Sequence, residues 1–111
     1  MNKKTILIDL DGVLSDYIAF DENNIPPLKN NAKEFLQKLY DSDKYELVLF
    51  TTRNLLLAAK WLIDNNIDKF FKDITNVKQP AYVYVDDRAI QFNGDFEKLQ
   101  KDINNFNVYW K

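Results

Sequence analysis

Asp9 and Asp11 stand two positions apart where the apolar run "TILI" ends, Thr51 closes the run "ELVLF", and Asp86 and Asp87 close "AYVYV". Three runs that end alike put four carboxylates and a hydroxyl where a parallel sheet would gather them along one edge. Carboxylates brought together repel one another and hold protons more tightly unless a cation sits among them. Oxygen donors alone select a hard divalent ion. Magnesium suits the set, because it keeps several waters and takes one or two carboxylates plus a phosphate oxygen. The sequence has no histidine and no cysteine. Imidazole bases, thiolate nucleophiles, thiolate zinc sites and disulfides are thereby excluded, and carboxylates, lysines and hydroxyls carry any chemistry.

The elements that must position these residues alternate. The three runs are strand-length and rich in Val, Ile, Leu or aromatics, as parallel strands buried on both faces are. Between the first two, Ala32, Phe35, Leu36, Leu39 and Tyr40 repeat at helical spacing and form one apolar stripe. "NLLLAAKWLIDNN" is a second helix, with Asn54 as N-cap and Asn65 and Asn66 near its end. "FFKDITNV" holds a short strand near Ile74. "DFEKLQKDINNF" is a third helix, capped by Asp95 and turning Phe96, Leu99, Ile103 and Phe106 inward, and "NVYW" closes the sheet as an edge strand. The expected fold is an open, Rossmann-like parallel α/β sheet of about five strands, with right-handed crossovers and helices on both faces. Ligands of such sheets bind beyond the carboxyl ends of the strands, which is where Asp9, Asp11, Thr51, Asp86 and Asp87 are expected to converge.

At 111 residues, 46% of them apolar, the chain is expected to form one domain, 1–111, with a genuine core. The formal charge of −2 argues against broad binding along a nucleic-acid backbone, though not against a phosphorylated nucleic-acid end. The opening "MNKKTILIDLDGVL" begins with a basic pair but breaks its apolar stretch with two Asp and lacks a small-residue cleavage site. No apolar run approaches the length of a membrane span. The expected location is cytoplasmic.

The motifs resemble those of the haloacid dehalogenase superfamily of phosphohydrolases, whose first motif is an apolar strand followed by Asp-x-Asp-Gly. "IDLDGVL" supplies it, with Val13 where many relatives have Thr. A strand-end Thr in "LVLFTTR", a lysine in "TNVKQPAYVYV" and an acidic pair in "VDDRAIQFNGD" follow in the family's order. The likeness spans nearly the whole chain and is nearest to small bacterial and phage hydrolases that end in a similar "DDRAI" and "FNGD". The resemblance implies that Asp9 is the nucleophile, forming an aspartyl phosphate, and that Asp11 is the acid/base. It implies magnesium held by the Asp9 carboxylate, the Asp11 backbone carbonyl and Asp86, with Asp87 a further or water-mediated ligand. Thr51 would donate to the phosphoryl oxygens, helped by backbone N–H groups near Gly12 and Thr52, and Lys78 would add positive charge.

Plainer readings stand beside these. Asp9 and Asp11 also suit an Asx turn with Gly12 at an unusual φ. Thr51 also suits an ordinary strand residue, and Lys78 a solvated surface lysine. The two arginines, Arg53 and Arg88, each directly follow a motif strand end. Each could fork onto substrate phosphate or pin the site's own aspartates, and the ion-pair reading comes slightly ahead. Tyr17 and Phe20 could stack on a base or sugar, with core cover the commoner role. A receiver domain has similar parts, but places its acidic pair first and its phosphorylated Asp after the third strand. A silent phosphate-binding or scaffold module of the same fold is the other alternative.

Many relatives insert a cap domain after the first motif or between the second and third. Neither gap here has room for one. The capless branch acts on a phosphate carried by a large molecule, or on small substrates when a neighbouring copy covers the open site. A phosphorylated substrate is therefore expected, as a nucleotide, sugar phosphate or polymer end, with a homo-oligomer as one way of covering the site.

Overall fold

Ile6, Leu7 and Ile8 are consecutive and all buried, as in a strand covered on both sides. In the computed structural model, which describes residues 2–17 and 21–110, they form the middle of β1 (Lys4–Asp9). The elements α1 (Ala32–Asp41), β2 (Tyr45–Phe50), α2 (Leu55–Asp64), β3 (Phe71–Thr75), β4 (Val83–Val85) and α3 (Phe96–Asn104) follow, with a 3₁₀ turn at Asp68–Phe70 before β3. The four strands make one parallel sheet in the order β3-β2-β1-β4. Among the described residues no helix is long and apolar enough to cross a membrane.

Ile6 and Ile8 of β1 and Leu47 and Leu49 of β2 point to one face, where Ala32 and Leu36 of α1 and Ala58, Trp61 and Leu62 of α2 close the core over them. Both crossover helices therefore lie on the same side. Their ends follow local chemistry. The Asn54 side chain accepts from the N–H groups of Leu56 and Leu57, capping α2 as expected. Asn66, at φ 58°, takes the left-handed conformation that stops the helix. Asp95 caps α3 in the same way through Glu97 and Lys98.

Three expectations are corrected. The sheet has four strands rather than about five among the described residues, because "NVYW" pairs with no strand edge. Its Tyr109 and Trp110 side chains instead bond to Gly12 and Asp87, as described below. Among the described residues, helices do not cover both faces. The crossover from β3 to β4 is the loop 76–82, whose Lys78 and Tyr82 line a groove with Leu7 and Phe50 on the face opposite α1 and α2. Finally, α3 does not turn its apolar stripe inward. None of its residues is buried, with Phe96 75% and Ile103 58% exposed, and Phe106 beyond it is also exposed. Helical spacing shows which residues share a face, not what will cover it. The outlying helix helps raise the radius of gyration to 14.9 Å, against about 13 Å for a compact chain of roughly this length.

Two substitutions separate the core from this outlying helix. Leu36→Ala, at a fully buried site, should lower unfolding free energy by about 2–5 kcal/mol. Phe96→Ala should change it by less than about 0.5 kcal/mol. Urea titration of both variants measures the contrast, and a large loss in Phe96→Ala would mean that α3 is packed.

Candidate active site

The parallel register builds the site. Ile8 lies opposite Val85 and Asp9 opposite Phe50, so the residue just after β4, Asp86, comes level with Asp9 where β1 ends. Carboxylate oxygens of Asp9, Asp86 and Asp87 lie within 4.8 Å of one another. Asp9 is half-buried, and its carboxyl is pushed up to about 8 by burial first, then by the charge of Asp86, a hydrogen bond with Asp87, and the charges of Asp87 and Asp11. Without a cation, Asp9 therefore keeps a proton at neutral pH. The donor set fits a hard divalent ion, because an ion among the three oxygens would relieve the repulsion that holds the proton there.

Gly12, at φ +83°, is demanded twice over. The left-handed conformation favours glycine, and a Cβ at this position would stand 2.1 Å from Asp87 Oδ2. The turn that follows is tight, with the N–H groups of Leu14 and Ser15 both donating to the Leu10 carbonyl.

Asp11 faces the same cavity, but its carboxylate is not in the three-oxygen group. Arg53 forks onto it, with Nε at 3.1 and 2.9 Å from its two oxygens and Nη2 2.9 Å from Oδ1. The guanidinium is fully buried and also donates to the Asp21 and Glu22 carbonyls, tying the loop before α1 to the end of β2. Of the two roles weighed for Arg53, pinning a site aspartate is the one the geometry displays.

The remaining candidates divide. A cavity of about 240 Å³ is lined by Asp9, Asp11, Tyr17, Phe50, Thr52, Asp86, Asp87 and Arg88. Thr51 is buried, with its hydroxyl accepting the Arg53 backbone N–H, and does not line this cavity. Lys78 lines the larger groove of about 630 Å³, which shares Asp9, Phe50 and Asp86 with the first. Its Nζ stands 4.6 Å from the centre of the Tyr84 ring. Arg88 donates its backbone N–H to Asp86 Oδ1 at 2.8 Å. Tyr17 reaches the cavity, while Phe20 lies outside the described residues.

Two residues at the site went unread in the sequence. Trp110 donates its indole N–H to Asp87 Oδ2 at 2.6 Å, and the Tyr109 hydroxyl donates to the Gly12 carbonyl. An alternating aromatic tetrapeptide looks like a strand, and nothing in its spacing marks a contact with residues so far back in the chain.

No protein-family model matches the chain, and no curated protein matches it significantly. A conserved protein from Bacteroides thetaiotaomicron has a similar solved structure, with a TM-score of 0.61 and 21% identity, covering 97% of this chain and 95% of that one. At that identity the likeness speaks for the fold alone, an α/β architecture with a parallel sheet.

The raised Asp9 carboxyl has a thermodynamic consequence in metal-free protein. A group whose folded pKa exceeds its unfolded value stabilises the fold fully below the unfolded value, near 4, and loses that contribution as pH rises through about 8. In chelator, the denaturation midpoint should therefore fall between pH 5 and pH 9. Asp9→Asn should flatten that fall, and an unchanged slope in the variant would remove Asp9 as its source.

Proposed function

We propose that the chain is a magnesium-dependent phosphomonoester hydrolase of the haloacid dehalogenase type, with a capless, Rossmann-like fold. The single observation that carries this reading is the grouping of Asp9, Asp86 and Asp87 within 4.8 Å at the ends of two adjacent parallel strands. The motif order of the sequence supports it, as does the cavity that Asp9 shares with Asp11 and Thr52. A cation held by Asp9, Asp86 and Asp87 supplies the charge compensation that lets an anionic carboxylate meet an anionic phosphoryl group.

The protein's own residues then divide the work. An Asp9 carboxylate oxygen attacks phosphorus as the ester P–O bond breaks, and Asp11 gives its proton to the departing oxygen. Water next attacks the phosphorus of the aspartyl phosphate, losing a proton to Asp11 as the bond to Asp9 breaks and inorganic phosphate leaves. Backbone N–H groups near Gly12 and Thr52 orient the phosphoryl oxygens. Thr51, buried beneath them, shapes that turn through its bond to the Arg53 N–H. Arg88, at the cavity wall, supplies a guanidinium suited to a second anionic group.

One observation favours a second reading. Both Asp11 oxygens already accept from Arg53, an arrangement that also suits a phosphate-binding module without turnover. Phosphate release from a panel of nucleotides, sugar phosphates and end-phosphorylated oligonucleotides distinguishes the two. Hydrolysis that chelator abolishes and magnesium restores supports the enzyme. Binding of phosphate with no release from any substrate supports the module.

The two aspartates of the first motif should fail differently. Asp9→Asn should lose turnover with every substrate. With an aryl phosphate, whose leaving group needs little protonation, Asp11→Asn should still be attacked but lacks the base for the second step. Rapid quench and peptide mapping should find phosphate on Asp9 in Asp11→Asn, and none in Asp9→Asn. Phosphate on another residue would overturn the assignment.

A further inference from the structure

We propose that Trp110 is a positioning residue for the cation site, setting the carboxylate of Asp87 through its indole N–H; this rests on the hydrolase reading above. No motif of the sequence extends to residue 110, and nothing in the mechanism uses it. The indole is a donor only and cannot itself ligate a cation. Its bond to Asp87 Oδ2, at 2.6 Å, holds the carboxylate at one oxygen and fixes the direction in which the other is presented. Hydrogen bonds of this kind to a ligating carboxylate orient it and tune its affinity.

The surroundings of Trp110 hold it to that task. Tyr17 meets the indole edge-on, with ring centres 4.9 Å apart. The Arg88 guanidinium carbon lies 5.2 Å from the ring centre on Trp110. Tyr109 anchors the same segment to the Gly12 carbonyl. The indole nitrogen stands only 3.1 Å from where a Gly12 Cβ would be, so the first motif makes room for the indole as well as for Asp87. Asp87 is thus held between the β1 loop and the segment after α3, two stretches at opposite ends of the sequence.

Trp110→Phe keeps the ring and removes the donor. Cation affinity is read on the full chain by manganese EPR and magnesium calorimetry, with no substrate present. Trp61, in the core and bonded to the Pro26 carbonyl, remains as a fluorescent reporter of folding. Trp110→Phe should keep the Trp61 emission and the urea midpoint while weakening cation binding about tenfold. The wild-type chain should also show a magnesium-dependent change in tryptophan emission that this variant lacks. Should Trp110→Phe fail to fold, Tyr109→Phe, which leaves the indole in place but frees its anchor, should weaken binding several-fold. Equal affinities in wild type and the folded variant would overturn the role of Trp110 and leave the hydrolase reading intact. A wild-type chain that binds neither ion would instead overturn the hydrolase reading and this inference with it.

Discussion

Like charges gathered at the carboxyl edge of a sheet are the constraint around which the rest of this protein is arranged. Parallel pairing leaves Asp9 and Asp86 side by side where β1 and β4 end, and Asp87 adds a third carboxylate within 4.8 Å. Repulsion among these groups and the burial of Asp9 oppose folding at any pH where all three would ionise. A proton on Asp9 relieves part of it, and a bound cation would relieve more. The same stress that destabilises the ionised cluster would supply a driving force for binding a cation there.

Cations and donors of the protein itself handle the neighbouring groups. Asp11 is excluded from the three-oxygen group by the buried fork of Arg53, so the first motif sends its two carboxylates to different electrostatic partners. Arg53 also reaches back to the carbonyls of Asp21 and Glu22, and Trp61 reaches the Pro26 carbonyl. The described segment 21–26 ahead of α1 is therefore held to α2 and the end of β2 through its backbone carbonyls. Gly12 completes the arrangement by offering no Cβ where Asp87 and Trp110 come closest.

Much of this is legible in the amino-acid sequence. Apolar runs that each end in Asp or Thr gave both the strands and the edge at which Asp9, Asp86 and Asp87 meet. Asn54 and Asp95 could be read as caps because capping is a local bond between a side chain and N–H groups two and three residues on. The errors share a different origin. Phe96 and Ile103 make a proper helical stripe, yet what covers a stripe depends on how β3 reaches β4, and a loop makes that connection. Tyr109 and Trp110 alternate like strand residues, but their bonds go to Gly12 and Asp87, at separations that leave no periodic trace. Arg53 lay between: its place after a motif strand marked it, while the choice of Asp11 as partner needed the fold.

The strand order also dictates which pairings the cluster requires. β1 and β2 are joined through α1, and β2 and β3 through α2, so these three strands need only residues up to Thr75, whereas β4 pairs with β1 from far along the chain, Val83 against Ile6. That pairing closes a longer loop than either earlier crossover, which disfavours its forming first. Until β4 docks, Asp9 lacks its Asp86 and Asp87 neighbours, whereas Asp11 needs only the end of β2 to meet Arg53. The repulsion among Asp9, Asp86 and Asp87 arises when the last strand docks, so cation binding there would act as a late lock on a sheet whose other three strands can already pair.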